Sequence, residues 1–324
     1  MFIRFFKSNN ASALIFLPLI AIAIWVFGFI HPTALPVKNA MPLYELIAGN
    51  FVNIPWLSCL IGLLLVIGEA LLINFIVNEN EVLSKQNYLP ALFYIVFMSN
   101  NDAMLTLHPL LFGNLFLLFA IQKLLSSYRK DKAFSEAFDA GLLISTASLF
   151  YFPFAVFLPL LGIGLIILRP FNWREWFISF LGALIPYLFV CTFYFLYNQL
   201  YNLFYDKMFY QFIREKPSLD FPKSFYFMLG LGWLLILFSI GKIVLGVGIG
   251  SQRTKKSIIF LVWFFFLSAL SMLVAPEIST KYFSAMAIPA AIFCANYFTN
   301  IKKEWWAEFL FLLMLCSLFV NLLF

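Results

Sequence analysis

The residues able to do chemistry in this chain are few and lie far apart. Glu45 is the one carboxylate in the polar stretch His31 to Pro55, inside the run PLYELI. Asp102 closes SNND at 99–102, and His108 follows six residues later, just before Pro109. This polar cluster is read either as a site for a sugar, a metal or water, or as a turn whose Asx residues cap the next helix beside a satisfied interfacial histidine. Glu69 stands alone in LLLVIGEALLINF. A carboxylate at membrane depth costs roughly 2.5–3.5 kcal/mol on insertion scales, so it must face the bundle interior and find a partner. It is read either as a proton or ligand site or as a polar contact between helices. Tyr197, Tyr201, Tyr205 and Tyr210 recur at spacings of four, four and five, beside Asp206, Lys207, Arg214, Glu215 and Lys216. That pattern suits a helix lying on the membrane surface, as an aromatic belt or as a lid whose Arg214 and Lys216 pair with phosphate oxygens.

The elements that must position these groups follow from composition. The chain has 324 residues, 63% hydrophobic and 11% charged. A soluble domain carries about 25% charged residues, so this chain has too little polar surface to cover itself in water. Forty-three Phe and eight Trp suit acyl tails and interfaces. The net charge of +6 therefore records topology rather than nucleic-acid binding. The four cysteines all fall in apolar runs, with no CxxC and no His cluster, and read as small apolar fillers. No cofactor is expected, and without a DxD-type pair in the first loop no metal is expected either. The apolar run from Ala11 to Ile30 exceeds the usual 7–15-residue core of a signal peptide and reads as an uncleaved first helix.

A crossing helix needs about 20 apolar residues. The sequence predicts an all-α, polytopic membrane protein, a single domain over 1–324. Its helices are placed near 11–30, 55–77, from 89, 105–125, 141–151, 153–168, 176–197, 225–247, 258–275, 283–298 and 305–324. The segment 141–168 is read as two short helices because FYFP at 150–153 breaks it. Short, Pro-broken membrane segments belong where they are buried in protein or line water, here around an outward cavity. With eleven helices and the N-terminus inside, fifteen of the 21 Lys and Arg lie on the inner side and the C-terminus lies outside. Most acids of the inner loops, Glu79, Glu81, Asp131, Glu136, Asp139, Glu175, Glu304 and Glu308, are expected to be solvated.

The run FDAGLLISTASLFYFPFAVFLPLLGIGLIILRPFNWREWFISFLGALIPYL at 138–188, with NYLPALFYIVF at 87–97, resembles the membrane glycosyltransferases of the GT-C superfamily over about residues 10–200. The whole chain also resembles an uncharacterised bacterial family of polytopic membrane proteins. The GT-C resemblance implies inverting transfer of a sugar from a polyprenyl-phosphate donor to an acceptor on the outer face of a bacterial cytoplasmic (inner) membrane. It implies Glu45 as general base, Asp102 and His108 as orienting groups, and Arg214, Lys216 or Lys281 on the departing lipid phosphate, under the Tyr205 and Tyr210 lid. The implied partners are membrane lipid and a polyprenyl-phosphate-linked sugar. Two other readings stay open, a non-catalytic membrane scaffold or assembly protein, and a small transporter or lipid flippase using Glu69.

Overall fold

The computed structural model describes residues 2–8, 11–33, 40–49, 54–209, 223–244, 251–275, 280–301 and 303–323. Among these the chain is all-α. Its helices are α1 (Phe2–Lys7), α2 (Ala11–Ile30), α3 (Pro42–Ala48), α4 (Pro55–Glu79), α5 (Leu89–Met98), α6 (Pro109–Ser126) and α7 (Phe134–Phe150). They continue with α8 (Pro159–Leu168), α9 (Trp173–Leu196), α10 (Lys223–Val244), α11 (Gln252–Val274), α12 (Ser284–Thr299) and α13 (Glu304–Leu323). Four of them, α3, α4, α6 and α8, begin on proline, and α5 carries Pro90 at its second position. Proline presets the helical φ there and lacks a donor that would have had no partner in the first turn.

Among the described residues, seven helical segments are long and apolar enough to cross a membrane: Ser12–Ile30, Pro55–Glu79, Pro109–Ser126, Trp173–Leu196, Gln252–Val274, Thr280–Thr299 and Glu304–Leu323. The other predicted segments also form helices, but α5 and α8 have only 10 residues, α7 has 17, and the apolar part of α10 is Phe225–Gly241. Helix α12 is sheathed by α5, α10 and α11. Its small residues Ser284, Ala285, Ala287, Ala291 and Ala295 are buried and let those backbones approach. Helix α9 is the opposite case, with Phe177, Phe180, Leu188, Phe189 and Phe193 exposed on a face that only lipid satisfies.

The break at 150–153 is real. Helix α7 stops at Phe150, Tyr151 is extended, and a 3-10 turn over Phe152–Phe157 leads into α8. The chain then returns to where α7 began. Arg169, just past α8, donates from Nη1 to the Ser127 carbonyl at 2.6 Å and from Nη2 to the Asp131 carbonyl at 3.4 Å. The hairpin expected from the two basic flanks is therefore present.

The basic loops gather at one end of the bundle, called here the basic end. The Phe6 carbonyl accepts from the Tyr88 amide, Arg253 donates to Asn80, Thr254 donates to the Glu81 carbonyl, Asn87 donates to Thr299, and Lys256 lies over the Tyr128 ring. Glu79, Glu81 and Asp131 are exposed there, as expected of loop acids. Glu175 is not. It is buried with Arg169, which reaches Glu175 Oε2 from Nε at 2.7 Å and Oε1 from Nη2 at 2.9 Å. The expectation of a solvated carboxylate fails because the α8–α9 turn folds the pair under the α6–α7 loop, where the Ala133 amide also donates to Glu175.

Candidate functional site

At the opposite end, Pro42 starts α3, and Tyr44 and Ala48, four residues apart, face inward. The buried Tyr44 hydroxyl donates to the Leu107 carbonyl at 3.3 Å, and its ring meets Phe112 edge-on. Burial pushes that hydroxyl's pKa up, so it stays a donor. Anchoring Tyr44 inward turns its neighbour Glu45 outward, toward the segment after α9.

That segment runs through a π-helical turn, Asn202–Met208. Its Lys207 ammonium is ion-paired with Glu45 Oε2 and donates to the Ala40 carbonyl at 3.4 Å. The pair is lopsided: the Lys207 side chain is 10% exposed and that of Glu45 is 53% exposed. Lys207 rises beside the Tyr194 ring from a small apolar cluster of Met41, Leu149, Tyr194, Leu203 and Met208. A half-exposed pair adds little to stability, typically about 0–1 kcal/mol. Its consequence is placement, since it joins the first loop to the tyrosine-rich segment. Tyr205 is exposed there and stacks between Tyr201 and Phe209. Tyr210, Arg214 and Lys216 lie outside the described residues.

Asp102 opens a 3-10 turn, Asp102–Met104, whose Ala103 amide is capped by the Asn101 side chain at 3.0 Å. Asp102 itself is exposed at the rim, and partial burial raises its pKa against the opposing charge of His31. His108 is wholly buried, and neither ring nitrogen has a hydrogen-bond partner among the described residues. Burial, with the Lys281 charge adding to it, lowers the imidazole pKa to about 3. The ring is neutral at physiological pH. The sequence placed Asp102 and His108 together, but the structure gives the first to solvent and the second to the interior.

The sign of the His108 shift yields a test. Its folded pKa lies below the unfolded value near 6.5, so the folded state resists protonation. Stability is complete above pH 6.5 and falls by up to about 1.4 kcal/mol per pH unit below it. The thermal midpoint of the purified protein should drop between pH 7 and pH 5, with a shallower slope in His108→Gln. Equal slopes in the two proteins would show that His108 does not set it.

Glu69 is fully buried. Tyr94 of α5 donates to its Oε2 at 2.6 Å. The Glu69–Tyr94 hydrogen bond ties α4 to α5, as polar groups between membrane helices do. The transport reading needs Glu69 in contact with water, and this burial gives it no support.

A lateral groove of about 540 Å³ opens between α8 and α9. Its walls are Leu161, Ile163, Ile166, Phe180 and Leu184, with Trp176 toward the basic end and Tyr187 toward the other. The Tyr187 and Ser148 hydroxyls share a short hydrogen bond. Tyr187 and Tyr194, two turns apart on α9, continue this face into the cluster beneath Lys207.

The structure thus joins Glu45 to Lys207. Sequence reasoning missed Lys207 as a site residue. Its only signal was a lone lysine two residues after Tyr205, with its partner 162 positions away.

Residues 34–324 match the family described as Family of unknown function (DUF6427), and the chain belongs to that family. Comparison with curated proteins and with solved structures gives no match.

Proposed function

We propose that this chain is a multi-pass protein of a bacterial cytoplasmic membrane that acts as a GT-C-like glycosyltransferase. In this reading eleven segments cross or partly cross the bilayer, the basic end and N-terminus face the cytoplasm, and the C-terminus lies outside. The enzyme moves a sugar from a polyprenyl-phosphate donor to a hydroxyl acceptor at the outer face. The observation that carries the reading is the Glu45–Lys207 pair, set above a hydrocarbon-lined groove open to lipid.

The two features match the two halves of such a donor. The groove from Trp176 to Tyr187 runs for eleven residues of α9, about 16 Å, and takes a stretch of isoprenoid chain. Glu45 is the exposed member of its pair and keeps Oε1 for the acceptor. As general base it takes the acceptor's O–H proton while the acceptor oxygen bonds to the anomeric carbon. The bond from that carbon to the phosphate oxygen breaks, and the polyprenyl phosphate leaves with the electron pair. Lys207 holds the carboxylate in place. Its buried stem limits it to that position, which makes it a positioning residue.

Removing a general base typically lowers rate by 10²–10⁴. Glu45→Gln should abolish the surface glycan made by cells carrying this protein, at unchanged protein level. Lys207→Met should reduce the glycan and be partly rescued by Lys207→Arg. Full glycan in cells with Glu45→Gln would sink the assignment.

A further inference from the structure

We propose that the basic end binds an anionic phospholipid, its phosphate held between the α6–α7 loop and the start of α11. Two cations from distant parts of the chain meet one ring there. The Arg129 guanidinium carbon lies 5.4 Å from the centre of the Tyr128 ring, and the Lys256 ammonium lies 5.4 Å from the same centre. The two charges are therefore no more than twice that distance apart. Arg253 stands one turn before Lys256 on α11 and adds a third charge, and the exposed Lys255 adds a fourth.

These cations have no counter-charge of their own. Elsewhere at this end lysines are ion-paired, Lys123 with Asp139 at 2.7 Å and Lys130 with Glu136 at 2.6 Å. Among the described residues, Arg129, Arg253, Lys255 and Lys256 make no ion pair. Arg253 gives Nη2 to the neutral side-chain amide of Asn80 at 2.9 Å. The acids of α4 are engaged otherwise, since Glu79 Oε2 accepts from Gln122 at 2.8 Å and Glu81 meets Thr254 only through its backbone carbonyl. Like charges gathered without a counter-ion repel one another, and an anion among them relieves that cost. The loop is also held firmly. The Ser127 carbonyl accepts from the Lys130 amide at 3.2 Å and from Arg169 Nη1 at 2.6 Å, and Tyr128 packs on the core. Between them Arg129 keeps a φ of 60°, a left-handed conformation costly for a residue with a side chain. Such strain collects at binding sites.

The neighbouring face of α11 identifies the anion as a lipid rather than a soluble phosphate. Four residues on from Lys255 the helix exposes Ile259, then Trp263 and Phe266 on the same stripe. From Lys255 to Phe266 is eleven residues, about 16 Å, the depth of one leaflet of a hydrocarbon core about 30 Å thick. A phosphate among the cations leaves its acyl chains to run down that stripe. The inference uses the placement of the chain in a membrane and stands apart from the transferase reading.

The test uses the full chain in detergent micelles and counts bound lipid by native mass spectrometry. Phosphatidylglycerol and phosphatidylcholine are offered in equal amounts, with inorganic phosphate as competitor. Phosphatidylglycerol should be retained in preference to phosphatidylcholine, and inorganic phosphate at the lipid's concentration should not displace it. One cation near an anionic lipid is worth about fivefold in affinity, so Arg129→Gln and Lys256→Gln should each weaken retention by that factor and the double variant by about 25-fold. Lys256→Arg should keep it. Arg174→Gln removes an exposed cation at the start of α9 and should leave retention unchanged. Circular dichroism of every variant should match the wild type. Equal retention of the two lipids overturns the site, as does a loss in Arg174→Gln equal to that in Lys256→Gln. Displacement by inorganic phosphate overturns the lipid and leaves a surface for soluble anions. No readout involves glycan formation, so the failure of either proposal leaves the other standing.

Discussion

Arg169→Ala should cost about 3–5 kcal/mol, the range for removing one partner of a buried ion pair. The two side chains are 5% and 1% exposed, so neither charge has water to fall back on. The guanidinium is committed on all three nitrogens, with Nε and Nη2 on the Glu175 carboxylate, Nη1 on the Ser127 carbonyl and Nη2 also on that of Asp131. Removing it strands a buried carboxylate and a buried carbonyl together. The same clamp fixes where the α7–α8 hairpin closes, so its loss frees the basic end of α6, α7, α8 and α9. Arg169→Lys keeps the charge but loses the bidentate fork and should recover only part of the stability. Glu175→Gln should be as damaging as Arg169→Ala, because a full guanidinium charge then stays buried. The double change Arg169→Met with Glu175→Met should be milder than either single change, since two apolar groups need no partners. Thermal unfolding in detergent reads all four. A midpoint within a degree or two of wild type for Arg169→Ala would show that the pair is solvated in solution.

That clamp marks where sequence reading stops. The helices were legible because lipid imposes long apolar runs and because proline and FYFP write the starts and breaks directly. The boundaries Ala11–Ile30 for α2, Pro55 for α4 and Leu89 for α5 stand in the residues themselves. Sorting basic loops to one end was legible for the same reason. Partner choice was not. Glu175 sits in the first turn of α9, in a stretch of mixed charge that reads as a solvated acid, and only the α8–α9 turn buries it. Lys207 looked like one of several cations, and its pairing with Glu45 depends on α3 turning Tyr44 inward. Helix α1 has six residues, too few for a period to show. Its burial comes from Phe6 beneath Tyr88 and from contacts with α13. The candidate site was thus legible as a set of loops sharing one end, through Glu45, His108 and Lys281. Which side chains face each other is set by packing between segments far apart in sequence.

Gly141→Ala and Gly182→Ala should each destabilise the protein by about 3 kcal/mol, at the upper end of the range for overpacking. Helices α7 and α9 cross with these glycines reciprocally at the contact. A methyl on Gly141 would run into the Ser179 carbonyl oxygen and come within 2.8 Å of the Ala183 nitrogen, and one on Gly182 would run into the Phe138 carbonyl oxygen. Both obstacles are backbone, so no rotamer change relieves them and the helices must separate along their length. Gly68→Ala and Gly230→Ala provide the internal contrast. These glycines lie in the interiors of α4 and α10, and a methyl there meets nothing within 4 Å. Each should stabilise its helix by about 0.5–1 kcal/mol, the usual gain of alanine over glycine. Opposite signs from one chemical change, read as thermal midpoints in detergent, would locate the α7–α9 seam. Equal small effects at all four positions would mean that the seam is looser than this geometry. The seam also reaches the candidate site. Helix α9 carries Tyr187 and Tyr194, which line the way from the lipid-facing groove to the cluster under Lys207. Moving α9 off α7 therefore lifts the support from the Glu45–Lys207 pair. Gly182→Ala protein that still folds at low temperature should then show reduced glycan formation.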